Sequence, residues 1–373
     1  MRRLLLLVGA LVFVDTMFFA ALTPLLPHYA DRFDLSKAGA GLLAGAYPAG
    51  VLLGGIPSGL VSVRIGVKPT VIVGVLLMAA TTFAFGVAGS IAVADAARFA
   101  QGVASAFTWT AGLAWLVAAS PAGRRGELIG SAVASAIVGA LFGPVLGGIA
   151  SVAGAGVTFG GVGVLALGLG FWAVVTDAPP PRREQSLGLL LGAFRDRQIL
   201  AGIWFVTLPG LLFGTMAVLA PLRLSQLGFG AVAIGAVFLV SAGFEAVVAP
   251  FVGRLSDRRG RWLPITTALC ASTVATALLP WPRWGVILAL TVVLAAISFG
   301  TFWSPSISLL SDTAERIGLD HSLAFALVNL AWAPGQAVGA AGGGALARAT
   351  ADAVPYLALC GLCALTLAAV RRA

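Results

Sequence analysis

Apolar residues in this chain come in long blocks, and polar residues are gathered into short gaps between them. Read between charges and turn signals, the blocks run over 4–27, 38–60, 70–89, 92–119, 127–150 and 155–176. After a break they resume over 199–221, 231–253, 262–280, 284–310, 321–347 and 351–370. A helix crossing a bilayer needs about 20 mostly apolar residues. The pattern predicts an all-α integral membrane protein of twelve spans with short loops.

Composition agrees. Of 373 residues, 59% are hydrophobic and 10% charged, with a mean hydropathy of +1.01. A soluble domain carries about 25% charged residues, and no water-soluble fold hides so much apolar surface. The start, MRRLLLLVGALVFV, has the build of a signal peptide. Asp15 interrupts that run, which then continues to Pro27, so an uncleaved first span is the simpler expectation.

The net charge of +9 suggests nucleic acid until its placement is considered. With a cytoplasmic N-terminus, 17 of the 23 basic residues fall in inside loops or tails, five fall outside, and Arg98 falls within a span. Cytoplasmic loops of membrane proteins carry such an excess. The charge therefore sets orientation, and an even number of spans puts both termini in the cytoplasm. Of the basic residues, 21 are arginine, and alanine and glycine abound, which points to a GC-rich bacterium and an inner-membrane location. All three cysteines lie in spans. Cys360 and Cys363 form a lone C-x-x-C without the two further ligands a zinc site needs, and read as small apolar filler. No metal or cofactor is expected.

Residues 177–198, DAPPPRREQSLGLLLGAFRDRQ, combine three prolines with a charge cluster. They read as a cytoplasmic strap between a bundle at 1–176 and a bundle at 199–373, with LGLLLGAF suited to the membrane surface. The two bundles echo each other. GLVSVRIGVK at Gly59 recurs as GRLSDRRGRW at Gly253, 194 residues on. Gly139, Gly143 and Gly147 recur as Gly335, Gly339 and Gly343, 196 residues on. Two motifs at nearly one offset mark a duplicated six-helix unit, as in many secondary transporters.

These motifs carry a resemblance to the major facilitator superfamily, and more narrowly to its twelve-helix drug:proton antiporters. Gly130, Gly139, Gly143, Pro144, Gly147 and Gly148 reproduce a pattern similar to the antiporter signature of helix 5. Arg98, Gln101 and Gly102 resemble the R-x-x-Q-G motif of helix 4. Gly253, Asp257, Arg258, Gly260 and Arg261 resemble the superfamily's loop motif. Its first copy keeps Gly59, Arg64, Gly66 and Lys68, but Val63 and Val67 replace the acid and an arginine. The resemblance covers essentially the whole chain. It implies two pseudo-symmetric six-helix bundles around a central site, with the loop motifs as a cytoplasmic gate.

Glycine costs a helix interior about 1 kcal/mol and proline about 3, yet GSAVASAIVGALFGPVLGG is rich in both. On a helix, Ser135, Gly139, Gly143 and Gly147 form one stripe of small side chains. Such stripes let backbones approach closely in lipid, where apolar burial drives little. Pro144 removes an N–H and favours a kink. The resemblance implies helix 8 or 11 of the other half as the stripe's partner, at an interface that moves. Gly130, half a turn away, is given a local role.

Ionisable groups inside spans are costly and mark function. Asp15 lies mid-span in LVFVDTMFFAALTPLLPHY, which resembles the first helix of vesicular amine transporters and their bacterial relatives. Burial disfavours its charged form, so it can load and release a proton or exchange it for a cationic substrate. The competing reading is a structural acid locked to Arg98 or to a backbone group. Arg98 cannot lose its proton; Asp95 at i−3 is its local partner candidate and Gln101 a further one. By resemblance, Arg98 tunes the proton affinity of a nearby acid. Glu245 lies deep in span 8 among small neighbours, as a proton or substrate group. The amine transporters carry acids in helices 10 and 11 where this chain has Thr301 and Asn329, which argues against a monoamine-like substrate. Trp109, Trp115, Trp303 and Trp332 are placed to stack on a planar or cationic substrate, although core or belt tryptophan is commoner.

The leading expectation is a monomeric, proton-coupled exporter of small organic molecules such as drugs or metabolites. Asp15, Gln101, Trp109, Glu245, Trp303, Asn329 and Trp332 would bind substrate, and Asp15, Arg98 and Glu245 would couple protons. A facilitator or proton symporter for sugars or other nutrients is the alternative. A membrane enzyme or scaffold is a third reading. No Ser-His, Cys-His or H-E-x-x-H arrangement supports an enzyme, and a scaffold leaves the buried charges unexplained.

Overall fold

In a computed structural model, residues 2–120, 125–178, 192–318 and 321–372 are described, and among them every regular element is a helix. The first half runs α1 Arg2–Arg32, α2 Lys37–Ile65, α3 Val67–Gly86, α4 Ile91–Ala119, α5 Arg125–Ala153 and α6 Ala155–Val174. The second runs α7 Arg197–Gln226, α8 Ala231–Arg259, α9 Trp262–Leu278, α10 in two pieces (Gly285–Gly300 and Trp303–Arg316), α11 His321–Ala349 and α12 Ala353–Arg372. Among the described residues ten helices are long and apolar enough to cross a membrane, while α9 is apolar but only 17 residues long. The strap expected over 177–198 falls largely outside the described residues.

Local chemistry explains the boundaries. Ser36 and Ser90 each accept a backbone N–H at the starts of α2 and α4. The Asp196 carboxylate accepts from the N–H groups of Gln198 and Ile199 at the start of α7. These side chains satisfy donors that a helix start leaves orphaned. The loop motif's glycines have a clear purpose. Gly66 has φ +92° and Gly260 φ +81°, and each makes the abrupt turn between two spans. A side chain there would be strained.

The inner helices pair the same way in both halves. α1 lies along α5, and α7 along α11. The glycine stripe makes the first contact possible. A Cβ on Gly139 would meet the carbonyl of Phe13, one on Gly143 would meet Ala20, and one on Gly147 would lie 2.5 Å from the carbonyl of Ala21. Ser135 completes the stripe against Gly9. Gly335, Gly339 and Gly343 pack in the same manner on Thr207, Leu211 and Thr215 of α7.

This corrects the expectation that helix 8 or 11 covers the stripe of α5. The stripe faces α1 of its own bundle. Another face of α5 reaches α8: a Cβ on Gly235 would lie 2.9 Å from the carbonyl of Pro144, and one on Gly243 4.0 Å from Leu141. The second seam between halves joins α2 to α11. There Gly41 abuts the carbonyl of Ala340 and Gly344 abuts that of Lys37. Lys37 also pairs with Asp352 across the seam. At the opposite end, a Cβ on Gly59 or Gly130 would meet nothing within 4 Å. Among the described residues the α2–α11 seam is closest at the end holding the α1–α2 and α11–α12 loops.

Gly139 and Gly148 separate packing from helix propensity, because a Cβ on Gly148 meets nothing within 4 Å. Gly139→Ala is expected to cost about 1–3 kcal/mol by overpacking. Gly148→Ala is expected to be neutral or to gain up to about 1 kcal/mol. Thermal unfolding of the two purified variants checks the order; equal effects would remove the packing role given to the stripe.

Candidate functional site

Asp15 lies mid-way along α1 and is 3% exposed. Three side chains donate to its carboxylate. Tyr47 Oη, from α2, lies 2.9 Å from both oxygens. Ser105 Oγ and Trp109 Nε1, one turn apart on α4, lie 2.7 and 2.8 Å from Oδ2. The backbone brings these donors in. A Cβ on Gly102 would collide with the carbonyl of Tyr47, and one on Gly50 with that of Phe99. With glycine at both places α2 and α4 nearly touch, and the Tyr47 hydroxyl reaches across to α1.

Arg98 is 1% exposed. Among the described residues it has no carboxylate within ion-pair distance, so it is locked neither to Asp95 nor to Asp15. Its Nη2 donates to the carbonyl of Phe19 at 3.3 Å. Its Nη1 donates to the carbonyl of Phe18 at 3.5 Å and to Gln101 Oε1 at 3.4 Å. The rings of Tyr47, Phe18, Phe85 and Phe19 surround the guanidinium, with centroids 5.0, 5.5, 5.8 and 5.9 Å away. Aromatic faces attract a cation, and more so out of water. The local partner expected at Asp95 is thus replaced by carbonyls and rings. Asp95 Oδ1, Arg98 Nε and Gln101 Nε2 are buried without a hydrogen-bond partner.

Tyr47 therefore serves both groups: its hydroxyl holds Asp15 and its ring lies under Arg98. Phe19 packs on Tyr47 at 4.8 Å and on Trp332 of α11 at 5.5 Å. The carboxylate is thus two aromatic contacts from the other half of the protein.

The remaining candidates are spread wider. Glu245 on α8 is partly buried and lies against Gly300, where α10 breaks; a Cβ there would start 2.8 Å from its Oε2. It is not brought into the set of donors around Asp15. Trp303 stacks on Phe213 at 6.1 Å. Asn329 is half-buried on α11, one turn before Trp332. Trp115 is fully buried and donates to the carbonyl of Asp177, so it belongs to the core. In the loop motifs Arg64, Asp257 and Arg258 are exposed, Lys68 is half-buried, and Gly253 lies against Ser304. Arg261 pairs with Asp312 within its own half. Among the described residues no group of three His, Cys, Asp or Glu side chains could hold a metal ion.

Tyr47, Ser105 and the phenylalanine cage were not singled out from sequence. One signal was present: Arg98, Gln101, Ser105 and Trp109 follow one another at spacings of three and four, which places them on one face of a helix.

A profile of the Major Facilitator Superfamily matches residues 8–340. The MFS-type transporter ppzB of Metarhizium rileyi is 28% identical over 143 residues, covering 37% of this chain and 30% of that protein. The uncharacterized MFS-type transporter YcaD of Salmonella enteritidis is 27% identical over 271 residues, covering 70% of this chain and 68% of that protein. Among solved structures, a mutant of the nucleoside transporter NupG superposes with a TM-score of 0.75. It covers 99% of both chains at 13% identity, a likeness of fold.

All three donors favour the charged carboxylate, and a hydrogen bond to a charged group contributes about 1.5–3 kcal/mol. Ser105→Ala is expected to lower stability by that amount in alkaline solution and by less in acid, where the carboxyl binds a proton. Unfolding midpoints of wild type and variant across pH check this. A loss independent of pH would mean that the hydroxyl serves packing alone.

Proposed function

We propose that this chain, which belongs to the Major Facilitator Superfamily, exports small organic molecules in exchange for protons. The chain is a multi-pass membrane transporter of small molecules, and not an enzyme. The finer reading places it with the twelve-helix drug:proton antiporters and rests on the surroundings of Asp15.

Three neutral donors hold that carboxylate, and among the described residues no cation is paired with it. A salt-bridged acid would need its partner removed before it could bind a proton. Here a proton need only displace a hydrogen bond, since a protonated acid both donates and accepts. The same carboxylate can accept a cationic group of a substrate. Proton and substrate then compete for one site, and that competition is the chemistry of antiport. Arg98, held by carbonyls and rings, keeps its positive charge near the site throughout and favours proton release.

In this reading Gln101, Trp109, Asn329, Trp303 and Trp332 line the substrate path, and Glu245 is a second ionisable group on the opposing half. The motif of α5 fixes α1, and with it Asp15, inside a rigid bundle. Termini in the cytoplasm place the Lys37–Asp352 seam at the outer face and the two loop motifs at the inner one. The conformation then has its outer side shut. Protein and lipid alone make up this transporter, working as a monomer.

A thermal-stability screen of amphipathic organic compounds at two pH values supplies the substrate. Asp15→Asn is then expected to insert and fold yet lose proton-driven transport in proteoliposomes, and to bind the compound more weakly and without dependence on pH. Proton-driven efflux at the wild-type rate in that variant would end the proposal.

A further inference from the structure

On the lipid-facing flank of the second half, α9, α10 and α12 leave a groove of about 660 Å³. Cys270, Ala271, Val274, Leu278 and Leu294 line it, and Arg371 closes one end. Val274, Leu278 and Leu294 are 59%, 53% and 63% exposed, so the walls are apolar and open to the membrane. The hydroxyls along it are bonded to their own helices. Thr266, Thr291 and Ser298 each donate to a carbonyl of their own helix. The groove therefore offers apolar contact along its length and, among the described residues, the Arg371 charge at its mouth.

Its dimensions suit one leaflet. From Thr266 to Leu278 a helix rises about 18 Å, slightly more than half of a hydrocarbon core about 30 Å thick. α9 has 17 residues and spans about 25 Å, less than that core. A short span draws the bilayer in around it, which brings headgroups toward the level of Arg371. That side chain is exposed and, among the described residues, has no ion-pair partner. The matching flank of the first half is filled. There Phe83 lies against Gly163 and Phe159 against Gly86.

We propose that this groove binds one anionic phospholipid from the leaflet nearest the chain termini. One acyl chain lies along α9 and the headgroup phosphate meets the Arg371 guanidinium. The arginine gives the occupant its sign, and the exposed Val274, Leu278 and Leu294 favour an acyl chain over a polar ligand. The site stands apart from Asp15 and is independent of the transport reading.

Native mass spectrometry of the full-length, delipidated protein tests it, with phosphatidylglycerol and phosphatidylcholine of identical chains as probes. One phosphatidylglycerol is expected to be retained in preference to phosphatidylcholine. Arg371→Gln is expected to weaken that retention about fivefold, the worth of one arginine at an anionic surface, and to leave phosphatidylcholine unchanged. Ala271→Phe, which fills the groove, is expected to abolish the preference with Arg371 intact. Equal retention of the two lipids by the wild type overturns the proposal. So does unaltered phosphatidylglycerol binding in either variant, or a protein dimer that excludes lipid from this flank.

Discussion

The arrangement turns on how a carboxyl is kept at bilayer depth. Water cannot reach in to solvate it cheaply, and an unpaired ion there is costly. The protein answers with neutral donors from two neighbouring helices. Tyr47, Ser105 and Trp109 together solvate Asp15, while the nearby cation is solvated separately by carbonyls and aromatic faces. Acid and base are close, but each has its own shell. A direct ion pair would have been simpler to build and harder to protonate.

That solvation demands close backbones. Tyr47 reaches Asp15 only because Gly50 and Gly102 let α2 lie almost on α4. α1 holds its place only because Gly139, Gly143 and Gly147 let it lie almost on α5. The glycines lose helix propensity and gain positional accuracy. In lipid that exchange is favourable, since side-chain burial between helices is worth little there. The stripe is accordingly a fixed joint inside a bundle. The seams between bundles also rely on glycines, such as Gly41, Gly45 and Gly344, but add a half-buried ion pair, Lys37–Asp352.

Much of this was legible in the sequence. Spans, duplication and the weight of Asp15 follow from hydropathy, offset and the rarity of acids in lipid. The stripe's existence followed from spacing, but its partner did not. A helix with small residues on one face states that something comes close, not which helix does. The solvation of Arg98 was misread for a similar reason. Asp95 is adjacent in sequence, and charge complementarity is the obvious rule, yet carbonyls and rings dispersed over α1, α2 and α3 surround the guanidinium. Tyr47 and Ser105 carry no charge and break no pattern, so nothing in one dimension lifts them above their neighbours. Their importance comes from tertiary approach.

The duplication is faithful in its joints and unfaithful in its chemistry. Gly66 and Gly260 make the same turn, and α5 and α11 carry the same stripe. The buried acids do not correspond: Asp15 is on α1, and its counterpart helix α7 has no acid within its span. The acid of the second half, Glu245, lies instead on α8 against the break in α10. The stripes hold each bundle together from inside, α5 on α1 and α11 on α7, so both halves need the same glycines. One solvated carboxyl is already costly at this depth, and a symmetric copy would add a second charge to be balanced in the same low-dielectric space. Symmetric joints with an asymmetric site are what these two constraints produce together.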